Sequence, residues 1–254
     1  MAAKTGAAVL AGGAIISLPL LAQAQWRTPW AYEGEKGPAH WAELDSDYAT
    51  CGSGKAQSPI DIRNPRKSKL PALAFAFKSG LLNLINNGYT AVRVDYKPGN
   101  GDILSVDGKQ YELTQFHFHH PSEETIAGKP ADMVLHLMYQ GADGKVVGVA
   151  VLMRQGKANP AVAELWTQMP EKPGAYHLIA DVAFDPTGLM PKERGYYRYE
   201  GSVTAPPCNE GVTWYVLKTP MTVSAEQIAE FAKLYPHDVR PIQNLNGRLV
   251  EESE

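Results

Sequence analysis

The chain has 254 residues, with 24 Lys and Arg against 27 Asp and Glu, for a net charge of -3. Charged residues make up 20% and hydrophobic residues 44%, which leaves ample apolar material for a core and excludes a disordered, charge-dominated chain. This balance gives no overall attraction to nucleic acid or anionic lipid, and the length fits one large β-rich domain.

At the amino terminus, residues 5–26 carry no charge, Lys4 precedes an apolar stretch over 7–21, and Ala22-Gln23-Ala24 has the small-x-small form of a cleavage site. This predicts a secretory signal peptide over 1–24 and a single domain over 25–254. An uncleaved anchor needs about 20 apolar residues, and Gly12, Gly13 and Pro19 interrupt the stretch, so no membrane anchor is expected after cleavage. Cleavage removes one cation and no acid, which takes the net charge from -3 to -4. Export places the protein in the periplasm or outside the cell, where the two cysteines, Cys51 and Cys208, are expected to form a disulfide.

Residues 26–41 are rich in aromatics, Gly and Pro and are expected to wrap over the body. From about 57 to 220, short alternating segments separated by Gly, Asn, Asp and Pro turns dominate, for instance 89–96, 111–119, 133–139 and 146–153. The fold is therefore predicted to be mainly β (α+β). Two peripheral helices are expected, one from the cap Asn159 with Pro160 toward 169 and one from the capping box Ser224 and Gln227 toward 234. There is no repeat and no linker. The basic cluster over 63–69 reads as a solvated loop, and Gly52-Ser53-Gly54-Lys55 lacks the residues of a phosphate loop.

The chemistry is concentrated in Gln115-Phe116-His117-Phe118-His119. Strand alternation sends Gln115, His117 and His119 to one face and the phenylalanines to the other. A third imidazole, His136, lies in an apolar segment that turn residues Gly128, Lys129 and Pro130 allow to return as an antiparallel neighbour. Three neutral imidazoles with an open fourth position suit catalytic zinc, whereas a structural site closes with four ligands. Taken alone, a His-x-His pair also fits two satisfied structural histidines.

The run 115–119, then Pro121-Ser122-Glu123-Glu124-Thr125, then His136, with 201–208 and Val212-Thr213-Trp214, resembles the α-class carbonic anhydrases of secreted, bacterial type. Gln57-Ser58-Pro59 and Asn86-Asn87-Gly88 match further landmarks in the same order, and Cys51 and Cys208 resemble the disulfide pair of secreted members. The resemblance implies a central, mostly antiparallel twisted sheet of about ten strands. It implies zinc on His117, His119 and His136, and reversible hydration of CO2 to bicarbonate and a proton by attack of zinc-bound hydroxide. It also implies that Thr204 and Glu123 orient the nucleophile, that Gln115 fixes the His117 ring, and that Met138, Gly148, Val203 and Trp214 line the CO2 pocket. Expected small-molecule partners are CO2, bicarbonate, water, and sulfonamide and anion inhibitors; no nucleic acid is expected.

The chain departs from the family pattern in four places. Tyr89 stands where many members carry a proton-shuttling histidine, and a phenol near pKa 10 relays protons poorly at neutral pH. The remaining histidines, His40, His120, His177 and His237, read as packed or solvated. Val134 replaces an acidic partner of the third ligand, which predicts weaker metal binding unless another group substitutes. Met138 and Gly148 replace two pocket valines, and the flexible methionine is expected to fill the space that glycine vacates. Val203 and Ala205 replace a common leucine and threonine. Two rival readings remain open, a noncatalytic binding protein on the same fold and a zinc-dependent hydrolase of another substrate.

Overall fold

A computed structural model describes residues 28–254, apart from 91 and 175 and the side chains of 176–183; the signal-peptide reading of 1–24 lies outside the described residues. Period-2 patterning is strongest in Lys109–His119, Met133–Gly141 and Val146–Gln155, and these form three adjacent antiparallel strands at the middle of a 13-stranded sheet. Most pairings are antiparallel. Within this sheet the parallel exceptions pair Val146–Gln155 with Glu210–Leu217 and with Met221–Val223, and the carboxyl-terminal Glu251–Ser253 with Arg66–Ser68. A separate three-stranded sheet joins Asp61–Ile62, Thr125–Ile126 and Lys129–Pro130.

Alternation divides the core between the two faces of the sheet. Phe116, Phe118, Leu135, Leu137, Val149 and Val151 are buried in the larger cluster, which Trp166 and Phe231 close. On the other face, Val134, Met138, Ala150 and Trp214 form a smaller cluster. His136 lies between Leu135 and Leu137, so it shares the face of Val134 and Met138. That face carries the site.

Both predicted helices are present and shorter than their sequence windows. Pro160–Trp166 starts under the Asn159 side chain, which accepts from the Ala161 and Val162 amides at 2.9 and 3.2 Å. Ala225–Ala232 starts with the complete Ser224 and Gln227 capping box. Gln227 also donates to the Asn159 carbonyl at 2.8 Å and accepts from its amide at 3.0 Å, so one cap residue fastens both helices together. The expected strand over 89–96 contracts to Arg93–Asp95, because the Asn87 side chain holds the amides of Tyr89 and Thr90 in a turn.

Cys51 and Cys208 form a disulfide across 157 residues of chain. In a chain-entropy description a loop of that length contributes about 5 kcal/mol, before any strain. The bridge packs with Trp30, Trp41 and Tyr48, so the aromatic amino-terminal segment lies over the body at this point. No described helix is long and apolar enough to cross a membrane.

Candidate metal centre

The strand register brings the three histidines together. His136 pairs directly with His117, and His119 lies two residues further along the same face. Ring centroids are 4.8 Å apart for His117 and His119, 5.3 Å for His117 and His136, and 5.0 Å for His119 and His136. One nitrogen from each ring falls within 4.8 Å of the others. The remaining nitrogen of each ring is held by an acceptor. Gln115 Oε1 holds His117 Nδ1 at 2.7 Å, the Asp238 carbonyl holds His119 Nδ1 at 2.6 Å, and Glu124 Oε2 holds His136 Nε2 at 3.1 Å.

That division of nitrogens is the test of fit for a metal. His119 Nε2 and His136 Nδ1 are buried without a hydrogen-bond partner, which is costly for any role except ligation. Burial pushes His117 well below the ordinary imidazole value and His119 down to about 3. Burial also disfavours the charged form of His136, but the Glu124 and Glu123 carboxylates outweigh it and raise this ring. Neutral rings with outward lone pairs are the form that binds zinc. The three leave one side open to a cavity of ≈ 260 Å³.

The Val134 departure has a structural answer. The acidic group missing at 134 is supplied by Glu124, whose side chain is fully buried and bonded to His136. A carboxylate in this position fixes the ring and raises its basicity. Its neighbour Glu123 lies 3.6 Å from His119 Nε2 and 3.8 Å from His136 Nδ1, and its Oε1 accepts from the Arg240 amide at 2.9 Å. Burial pushes the Glu123 carboxyl up to about 7 against the opposing pull of His136. The Thr204 hydroxyl stands close enough to favour the ionised form, while Glu123 Oε2 still lacks a formed hydrogen bond.

Thr204 lies in the loop between the Tyr196–Ser202 and Glu210–Leu217 strands, and the disulfide steadies that loop. Gln57 donates to the Cys208 carbonyl at 3.0 Å. The Arg240 guanidinium reaches Gln57 Oε1 at 2.8 Å and the Cys51 carbonyl at 2.9 Å. The residue whose amide holds Glu123 thus also clamps the bridge beside Thr204.

Met138, Val203 and Trp214 line the cavity, as do Trp30, Tyr32, Tyr89, Arg93, Ala205 and Pro206. Gly148 does not. A Cβ on Gly148 would meet the Trp214 ring at 2.6 Å, so the space glycine vacates is filled by tryptophan rather than by Met138. The ring is fixed there by Nε1 donating to the Ser202 carbonyl at 2.9 Å, and it lies 4.7 Å from His136. Tyr89 stacks on Trp30 at 3.9 Å with the planes within 10°, and burial raises its pKa further. Among the other histidines, His120 Nδ1 is bonded to the Pro236 carbonyl and His40 lies beside Glu43.

Sequence reasoning missed Glu124, Asp238, Arg240 and Arg93. Glu124 carried a signal in the adjacent Glu pair. Asp238 acts through its backbone carbonyl, which no residue type announces.

The fold and the site together define a β-sheet enzyme class in which three strand-borne imidazoles present an open metal position at the base of a cavity. A sequence model described as "Eukaryotic-type carbonic anhydrase" matches residues 36–254. The chain is 42% identical over 238 residues to a carbonic anhydrase of Pectobacterium carotovorum, covering 93% of this chain and 96% of that one. It is 41% identical to a carbonic anhydrase of Klebsiella pneumoniae, covering 96% and 98%. The α-carbonic anhydrase of Thermovibrio ammonificans, solved with the inhibitor sulfanilamide, superposes with a TM-score of 0.84 at 39% identity, covering 89% of this chain and 99% of that one. The chain belongs to the α-type carbonic anhydrases, a family of enzymes whose known reaction is the hydration of CO2.

Because Trp214 occupies the volume beside Gly148, Gly148→Val is expected to displace the ring and cost about 1–3 kcal/mol in stability. Denaturant unfolding measures the loss. An unchanged midpoint would show that the ring is free to move.

Proposed function

We propose that this chain catalyses the reversible hydration of CO2 to bicarbonate and a proton, with zinc held by His117, His119 and His136. The observation that carries the reading is the set of three rings, two buried and one half-buried, each with one nitrogen pinned and the other turned to a common point. A zinc ion held by these three histidines would lower the pKa of a bound water from about 15.7 to about 7, the value known for carbonic anhydrases, and so supply hydroxide at neutral pH.

The chain's own residues supply the rest. Glu123, held by the Arg240 amide, is the acceptor toward which the Thr204 hydroxyl turns its proton, leaving the threonine oxygen free to accept from water at the open position. Val203, Met138 and Trp214 offer CO2 an apolar wall. A sulfonamide is expected to inhibit, as the Thermovibrio relative was solved with one.

Stopped-flow CO2 hydration with zinc quantification, with and without a sulfonamide, tests the reading; a zinc-loaded protein without activity overturns it. In the same preparations Glu124→Gln is expected to weaken zinc binding about 10- to 100-fold in chelator competition. Equal affinity in the two proteins would remove Glu124 from the metal site.

Proton release needs a relay, and Tyr89, stacked under Trp30 with a raised pKa, is a poor one. Turnover is therefore expected to depend on external buffer. Tyr89→His should raise the rate most at low buffer concentration, and a wild type already fast without buffer would point to another route.

The same reading places the protein in the periplasm or outside the cell. The Cys51–Cys208 disulfide supports an oxidising compartment, and the leader-like composition of 1–24 supports export. Amino-terminal sequencing of protein recovered from the cell envelope fraction should begin after Ala24; recovery of the whole chain from the cytoplasm would contradict export.

A further inference from the structure

Arg93 has no role in the centre described above, yet it lines the same cavity. It sits on the Arg93–Asp95 strand directly opposite His117 in the antiparallel register, so the two side chains share one face of the sheet. Asp95 engages Arg93 through Nε alone, at 2.7 Å, and both side chains are about one-third exposed. Among the described residues no acceptor engages the two terminal amino groups of the guanidinium. Asp95 does not line the cavity, and among the described lining residues Arg93 is the only one with a permanent charge.

The rest of the wall is aromatic, apolar or uncharged polar, with Trp30 and Tyr89 stacked on one side and Val203, Ala205, Pro206 and Pro207 among the others. In the metal-free protein a lone cation in such a wall acts on a ligand more strongly than one in open water, because low-dielectric surroundings focus its field. The guanidinium presents two parallel N–H donors, which match the two oxygens of a planar carboxylate-type anion. A protein of net charge -3, or -4 after the expected cleavage, repels such anions at long range, so an inward-facing arginine counters that repulsion where it matters.

We propose that Arg93 forms an anion subsite in the cavity wall, separate from the metal, which takes planar carboxylate-type monoanions: bicarbonate as reactant or product, and small organic carboxylates as competitors. The proposal rests on the CO2 hydration reading for its bicarbonate arm only. The carboxylate arm stands on the cavity alone.

The test compares wild type, Arg93→Gln, Arg93→Lys and Asp95→Asn. In the dehydration direction, Arg93→Gln is expected to raise the KM for bicarbonate about 5-fold, a charge-assisted contact discounted for partial exposure. Arg93→Lys should fall between the two, since it keeps the charge and loses the paired donors. Benzoate binding to the metal-free protein, followed by ligand-observed NMR, is expected to weaken by a similar factor in Arg93→Gln and to strengthen in Asp95→Asn, where the partly neutralising carboxylate is gone.

An unchanged benzoate affinity and an unchanged bicarbonate KM in Arg93→Gln would overturn the subsite. Benzoate binding that weakens in Arg93→Gln, in a wild type without CO2 hydration activity, would leave the subsite standing and overturn the catalytic reading instead. Should Arg93→Gln fail to load zinc, the metal-free benzoate titration of Arg93→Lys and Asp95→Asn decides between the same two results, with opposite shifts expected and equal affinities fatal.

Discussion

A neutral imidazole offers one donor and one acceptor nitrogen, and a metal needs the acceptor from each of three rings at one point. The structure meets this by giving each ring a partner for the nitrogen that must not face the centre: an amide oxygen for His117, a backbone carbonyl for His119 and a carboxylate for His136. Burial supplies the second condition by disfavouring protonation of His117 and His119. Without these partners the rings could rotate or exchange tautomers, and three histidines in proximity would not be a binding site.

The partners are themselves held. Glu124 and Glu123 are adjacent and both buried, an arrangement that stands only because each carboxylate has a local role. Glu124 takes the His136 N–H, and Glu123 takes the Arg240 amide. Arg240 is buried too, and its guanidinium is satisfied by Gln57 Oε1 and by the carbonyls of Ser58 and Cys51. Hydrogen bonds therefore run from Glu123, beside the histidine cluster, through Arg240 to the disulfide, among groups that have lost their water. Removing one member leaves another buried and unpaired, which costs more than the bond itself contributed.

Much of this was legible in the sequence. Alternation put Gln115, His117 and His119 on one face, and the apolar run around His136 identified its strand and neighbour; the register then made His136 pair with His117. The caps at Asn159 and Ser224 located both helices. What stayed hidden depends on contacts remote in sequence. Asp238 reaches His119 across 119 residues through a carbonyl. Gly148 looked like a vacancy for Met138, but parallel pairing sets it opposite Trp214, whose ring takes the space. Arg93 fell inside an expected strand, and only the pairing with His117 shows that its face is the cavity face.

The acidic partner of the third ring shows how a site survives a substitution at the position where the family usually keeps that group. What the His136 ring requires is a carboxylate oxygen at Nε2, not a carboxylate at a given place in the sequence. Val134 lies on the strand that carries the ring, and Glu124 arrives from the neighbouring loop, yet its oxygen stands 3.1 Å from the same nitrogen. With the carboxylate moved to the loop, position 134 is free to be apolar, and Val134 is fully buried in the cluster that holds Met138, Ala150 and Trp214. The same cluster backs the wall on which CO2 is proposed to rest, so the relocation converts one strand position from polar support of the metal into apolar support of the pocket. The electrostatic requirement is kept while the packing around it changes, because hydrogen-bond geometry constrains where an oxygen ends and leaves open the backbone from which it comes.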